Sequence, residues 1–342
     1  MQYACANCGI EMEYHEAGFL FLHNEKGLDL PLTGSGDRTE EGLYVLPYDN
    51  LDDLYEKLSE IETTLVNEGW TCSFNCTEKP GPFRPSKEFM DLIKYREMVK
   101  LIQGGQFKSH LQPIIDLGDF SLFGYESLLR SNSGNKRINP GELFEAASRT
   151  GFHSMLDQKA RKSAIESRQG QVDPGTKSFI NFLPSTIYNP EFCLRHTFKI
   201  VKECNVNPED LVFEVVETEK IADVDHLRSV LDVYKREGMK VALDDVGSGF
   251  ATVEMLSLLQ PDYVKIDRSF INHCDRDDDN QAFLRKVMKI AGELDILVLA
   301  EGVERKEELL FCKDIGIHYA QGYFIGKPQE EAMEPFAETQ FV

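Results

Sequence analysis

The chain has 342 residues, 42% of them hydrophobic, and a formal net charge of −21. That length suggests two domains, or one large barrel with an appendage, and the lack of an apolar run long enough to span a bilayer argues against membrane insertion. A surface this acidic repels nucleic-acid polymers and anionic membranes, so a phosphate-bearing ligand needs cations or a local Arg or Lys to enter.

Met1 to Ile10 carries no basic segment followed by an apolar one, so no secretory signal is expected and the protein reads as cytoplasmic. Residues 1–88 hold 17 acids against six Lys and Arg, about half of the whole excess. Short apolar runs occur at Gly18–Leu22 and Leu43–Leu46. A helix is predicted from about Asp49 to Asn67, where Leu51, Leu54, Leu58, Ile61 and Leu65 recur at three- and four-residue spacing. The proline-rich stretch Lys79–Pro85 breaks regular structure. Ser86 is then a candidate cap for a second helix to about Gln103, with Phe89, Leu92, Ile93, Met98 and Ile102 as its apolar positions and Gly104-Gly105 at its end. The expected organisation is a small acidic α+β domain over 1–85, a connecting helix over 86–103 and a barrel over 104–342.

Eight cysteines in a cytosolic chain seldom mean disulfides. Cys193, Cys204, Cys274 and Cys312 are scattered and read as packing residues. Cys5-x-x-Cys8 and Cys72-x-x-x-Cys76 have spacings suited to one structural zinc, which would stabilise a domain with a sparse core. Four reduced core thiols, or a redox pair, are the other readings.

After Gly105 short apolar runs alternate with helical ones. Eight strands are predicted to begin near Phe107, Phe120, Ser178, Leu211, Lys240, Asp262, Ile296 and Ile317. From the third onward a helical stretch follows each strand, the pattern of a parallel β/α barrel. Only Leu117-Gly118-Asp119 separates the first two, too short for a parallel crossover. The fold class is therefore α/β, a modified TIM-like (β/α)8 barrel with an antiparallel first strand, beside the small N-terminal domain.

Several of these strands carry or end in polar residues: Glu126, Asn181, Glu214, Asp244-Asp245, Lys265 with Asp267, Glu301 and Gln321. One such residue is as easily an N-cap for the next helix. Six or more in register fit caps poorly, because a carboxylate at the end of an apolar strand is costly unless paired or metal-bound. In barrels these ends converge on one catalytic face. An all-oxygen set suits Mg²⁺ or Mn²⁺ rather than zinc, and adjacent aspartates can serve neighbouring ions, as phosphodiester hydrolysis requires.

These segments resemble the EAL family of cyclic di-GMP phosphodiesterases. The resemblance rests on Glu126-Ser-Leu-Leu-Arg130, with Ser127 where the family has Ala, and on Val241-Ala-Leu-Asp-Asp-Val-Gly-Ser-Gly249. It extends to Lys265-Ile-Asp-Arg-Ser-Phe270, Ala300-Glu-Gly-Val-Glu304 and Gln321-Gly-Tyr323. It implies hydrolysis of cyclic di-GMP to linear pGpG with two Mg²⁺ or Mn²⁺ ions. Glu126, Asn181, Glu214 and Asp244 would hold the first ion. Asp244 would bridge to the second, held also by Asp245 with help from Asp267 and Glu301. Lys265 would orient the attacking water, Arg130 would hold the non-scissile phosphate, and Gln112 and Gln321 would line the substrate groove. Glu217 would anchor the loop after Asp245, and that loop implies a homodimer through the barrel.

The sequence departs from the family at Val215-Val216, Val246, Phe250, Ala251-Thr252 and Phe182-Leu183. None of these removes an implied metal ligand, although several touch the loop after Asp245. A cyclic di-GMP receptor without catalysis, and a metal-sensing interaction protein with the barrel as scaffold, are the alternative readings.

Overall fold

The computed structural model describes residues 12–30, 37–39, 42–132, 138–216, 223–247 and 253–333. The chain divides into two compact units, Met1–Gln106 with Ser133–Leu156, and Phe107–Asn132 with Asp157–Val342.

The first unit is built on an antiparallel sheet of β1 (Gly18–His23), β2 (Asp37–Arg38), β3 (Tyr44–Tyr48), β4 (Thr71–Asn75) and β5 (Arg84–Pro85), in the order β2-β3-β1-β4-β5. Its helices are α1 (Leu51–Glu60), α2 (Glu62–Asn67), α3 (Ser86–Lys94), α4 (Arg96–Gly104) and α5 (Pro140–Thr150). Leu20, Leu22, Leu54, Leu58, Trp70, Phe89 and Ile93 form its buried core. The apolar stripe expected over Asp49–Asn67 is present but spans two helices. Ile61 leaves helical geometry, and its N–H bonds to Leu58 O, three residues back, which tightens the turn. The second predicted helix breaks at Tyr95, which leaves helical geometry at φ −96° and ψ 18° while its N–H still bonds to Asp91 O, and Ser86 begins α3 rather than capping it.

The second unit is a closed eight-stranded barrel. Its strands are β6 (Phe107–Asp116), β7 (Leu122–Ser131), β8 (Lys177–Phe182), β9 (Leu211–Val215), β10 (Lys240–Val246), β11 (Tyr263–Ile266), β12 (Leu297–Ala300) and β13 (Tyr319–Gln321). Each begins within a few residues of its predicted start. β6 runs antiparallel to both β7 and β13, and every other pairing is parallel. The turn from β6 to β7 is set by side chains: Asp116 accepts from Gly118 N–H at 2.7 Å, and Asp119 from Ser121 N–H at 2.9 Å. The helices are α6 (His153–Glu166), α7 (Pro190–Cys193), α8 (Arg195–Glu203), α9 (Val224–Arg236), α10 (Val253–Leu259), α11 (Arg268–Ile271), α12 (Asp278–Glu293) and α13 (Lys306–Asp314).

The strands are apolar on both faces, as parallel strands covered by helices must be. Ile180, Phe182, Phe213, Val215, Val264 and Ile266 point outward into the main core. Ile114, Phe179, Val212, Ala242, Tyr263, Leu299 and Tyr319 form a separate inner cluster, a floor inside the barrel. Phe123 stacks on Tyr319 at 3.8 Å, and Phe179 meets Tyr263 edge-on at 5.4 Å. No described helix is long and apolar enough to cross a membrane.

Candidate functional site

Alternate residues of a strand face the same side. Two residues beyond each floor position therefore lies another inward side chain, and here it is polar: Asn181 after Phe179, Glu214 after Val212, Asp244 after Ala242, Lys265 after Tyr263, Glu301 after Leu299 and Gln321 after Tyr319. β6 runs the other way, so its polar residue precedes the floor: Gln112 before Ile114. Gln112 pairs across the ladder with Glu126 of β7.

Lys265 is the hub. It is 1% exposed, with Nζ 2.7 Å from Glu301, 2.8 Å from Glu214, 3.0 Å from Asp244 and 3.7 Å from Glu126. Burial alone would lower its ammonium pKa, but Asp244, Glu126, Glu214 and Glu301 outweigh that and raise it well above the ordinary lysine value. Glu126 accepts from Asn181 Nδ2 at 3.0 Å and from Gln321 Nε2 at 2.7 Å. Burial pushes its carboxyl up, yet Lys265 and the two amides prevail and hold it below the usual range. Glu214 and Glu301 differ. Burial drives both carboxyls well above the ordinary range, Lys265 opposes, and neighbouring carboxylates reinforce the rise.

Asp244 and Asp245 are adjacent, so a regular strand would send them to opposite faces. The register of β10 shifts between Leu243 and Val246, and Asp245 adopts φ +52°, a left-handed conformation uncommon outside glycine. This bulge re-aims the second carboxylate. Asp244, Asp245 and Glu301 each offer an oxygen within 4.8 Å of the others.

Gln112, Glu126, Asp245, Asp267, Glu301 and Gln321 border an open cleft of about 280 Å³. Gln112 donates to Gly326 O at 3.2 Å. Asp267 borders the cleft while capping α11, accepting from Ser269 N–H at 2.9 Å and from its hydroxyl. Arg130 is half-buried on β7, donates to Leu129 O, and lies within electrostatic reach of Glu126 and Tyr323. Three further cleft side chains, Arg268, Glu304 and Tyr323, escaped the residue-by-residue reading. Arg268 pairs with Glu304 at 2.9 Å, and Tyr323 is 57% exposed. All three sit inside the quoted motifs, which was the available signal. Gly302 is constrained by the same cleft wall: its φ is +68°, and an added Cβ would lie 2.4 Å from Arg268 Cγ.

Glu217, Cys5 and Cys8 lie outside the described residues. Of the other two candidate zinc ligands, Cys72 is fully buried in the apolar core of the first unit, where burial pushes its thiol pKa up, and Cys76 is exposed just past β4. Three residues lie between them, and the other half of the set is outside the described residues. His273, Asp275 and Glu308 also offer close ligand atoms, but Glu308 is engaged by the backbone N–H groups of His273, Glu304 and Arg305.

The donor set fits hard divalent cations. Among the described residues, four carboxylates gather round a single ammonium, and the buried Glu214 Oε1 has no hydrogen-bond partner. A buried carboxylate oxygen without a donor is costly, and an oxygen-preferring cation removes that cost.

A family model described as EAL domain matches residues 95–328. The probable cyclic di-GMP phosphodiesterase PdeG of Escherichia coli (strain K12) is 31% identical over 239 residues, covering 67% of this chain and 46% of that protein. A standalone EAL protein from Vibrio cholerae O395, solved with c-di-GMP bound, matches with a TM-score of 0.62 at 31% identity, over 68% of this chain and 97% of that one. Klebsiella pneumoniae BlrP1, solved at pH 9.0 as a manganese/cy-diGMP complex, matches with a TM-score of 0.58 at 28% identity, over 66% of this chain and 57% of that one. The chain spans about half or less of the length of the curated relatives it matches.

Proposed function

Because this chain belongs to the EAL domain family, we propose that its barrel hydrolyses cyclic di-GMP to linear pGpG with the help of two divalent cations, Mg²⁺ or Mn²⁺. The observation that carries the reading is the ring at the barrel mouth: Glu126, Glu214, Asp244 and Glu301 around one buried lysine, with Asp245 turned toward them and one Glu214 oxygen without a partner among the described residues. Glu126, Asn181, Glu214 and Asp244 would hold one cation, and Asp244, Asp245, Asp267 and Glu301 the other. When bound, such ions supply a deprotonated water at neutral pH and offset the charge gathering on the phosphoryl oxygens.

The protein's own groups do the rest. Lys265 keeps its proton and donates from Nζ, which stabilises negative charge at the reacting phosphate. The amide of Gln321 fixes the Glu126 carboxylate. Arg130 offers a guanidinium to the second phosphate, and Gln112 lines the groove. The cytoplasmic setting expected from the sequence belongs to the same proposal. So do a homodimer through the barrel, to be checked by light scattering, and a zinc ion in the first unit, to be checked by metal analysis. Incubation of the full chain with cyclic di-GMP and Mg²⁺ or Mn²⁺, followed by product chromatography, tests the central reading, and pGpG is the expected product. Binding without product would make the protein a receptor; failure to bind would leave the barrel as an interaction scaffold.

A further inference from the structure

Outside the barrel wall, behind β8 and β9, lies a buried ionic network that the proposed chemistry does not use. Asp157 and Arg161 sit one turn apart on α6, each 2% exposed, with Asp157 Oδ2 and Arg161 Nη2 at 3.1 Å. Asp157 Oδ1 accepts from Leu183 N–H at 3.0 Å, and its Oδ2 accepts from the Thr186 hydroxyl at 2.8 Å. Both donors belong to the chain leaving β8, directly after Asn181-Phe182. Arg161 Nη1 donates to the Tyr234 hydroxyl at 3.2 Å. The Tyr234 ring stacks on Phe213 at 4.1 Å and meets Phe182 edge-on at 5.3 Å. Phe182 follows Asn181 and Phe213 precedes Glu214, so the outward residue gripped on each strand adjoins the inward residue at the mouth. Val216 N–H bonds to Phe182 O at 3.3 Å and joins the two strand exits.

Stability alone explains this network poorly. A buried ion pair is seldom more favourable than apolar side chains of the same volume, and Arg161 Nε has no hydrogen-bond partner among the described residues. What the network does accomplish is geometric. It fixes the exits of the two strands that carry Asn181 and Glu214, from the side opposite the cleft. We propose that Asp157 and Arg161 are positioning residues that hold Asn181 and Glu214 in the geometry needed to take a divalent cation. The inference rests on the reading of those two residues as cation ligands.

Three variants of the full chain test it: Asp157→Asn, Thr186→Val, and the double change Asp157→Leu with Arg161→Met, which replaces the charge pair by apolar volume. Two quantities are measured, Mn²⁺ affinity by electron paramagnetic resonance titration and the thermal midpoint without metal. Asp157→Asn is expected to weaken Mn²⁺ binding by about ten- to a hundredfold, the range for residues that orient metal ligands. Thr186→Val should weaken it less, in the same direction. The double variant should have a metal-free midpoint above that of Asp157→Asn, which leaves Arg161 buried and unpaired, and still bind Mn²⁺ as weakly as Asp157→Asn, a separation that a merely structural role would not give. Wild-type Mn²⁺ affinity in the folded double variant, or in folded Asp157→Asn, overturns the proposal. Wild-type protein that binds no Mn²⁺ removes the premise as well, and is recognised because the parent itself then fails.

Discussion

Two sets of side chains line the inside of the barrel, two residues apart on the same strands. The inner set, Phe179, Val212, Ala242, Tyr263, Leu299 and Tyr319, is apolar and closely packed. The outer set, Asn181, Glu214, Asp244, Lys265, Glu301 and Gln321, is polar, with more carboxylates than its one ammonium can neutralise. Backbone geometry is shared, so the difference is one of side-chain chemistry alone. The floor gains free energy by excluding water. The mouth spends stability on buried charge, including a carboxylate oxygen with no donor. Ligands therefore belong at the mouth, and the floor holds the strands that present it.

The sharpest way to break this contrast is to remove charge at the mouth. Asp244→Asn and Glu126→Ala should reduce pGpG formation to background while the urea unfolding midpoint stays near that of wild type. At the floor the order reverses. Phe179→Ala or Tyr263→Ala should cost about 3–5 kcal/mol of stability, read by urea unfolding, while turnover per folded molecule stays close to wild type. A floor variant that kept its stability but lost turnover would erase the distinction. Lys265→Ala should lower turnover about a hundredfold, or about 2.7 kcal/mol, the scale of one electrostatic donor, with Mn²⁺ binding largely retained. Full turnover in that variant would remove the assigned role of the lysine.

A pH series sharpens the comparison further. Glu214 and Glu301 are held above the ordinary glutamate value of 4.5, so in the fold they keep protons that the unfolded chain has released. Stability of the metal-free protein should therefore fall as pH rises from that value through the higher folded values. Glu126, held below 4.5, acts oppositely, and its contribution is lost only in acid. Mn²⁺ should flatten the decline, and Glu214→Gln should reduce it without metal; thermal midpoints across pH measure both. The smallest effect belongs to Ser127, whose buried hydroxyl has no partner. Ser127→Ala should leave stability unchanged or raise it by about 1 kcal/mol, as calorimetry would show.

Much of the barrel was legible in the sequence, because most of the apolar runs carry or end at an inward polar residue and the short link Leu117–Asp119 forces an antiparallel pair. The gathering of Glu126, Asn181, Glu214, Asp244, Lys265, Glu301 and Gln321 at one mouth was legible for the same reason, strengthened by the motifs that carry most of them. Other features depend on properties that periodicity does not encode. The apolar stripe over Leu51–Leu65 passes through Ile61 unchanged, so the helix break there leaves no trace in the pattern. Nothing in Asp244-Asp245 announces the left-handed backbone that turns the second carboxylate. Nothing in the four-residue spacing of Asp157 and Arg161 shows that both are buried. The spacing of Cys72 and Cys76 gives no hint that one lies in the core and the other at the surface.

The central claim, that the mouth of the barrel is completed by divalent cations and cuts a phosphodiester, is met most directly by one experiment on the full chain. Bound Mn²⁺ is counted by equilibrium dialysis with cyclic di-GMP present, and the nucleotide from the same cell is resolved by chromatography. Two Mn²⁺ ions per chain together with linear pGpG is the predicted result. Intact cyclic di-GMP recovered from protein saturated with Mn²⁺ would contradict it.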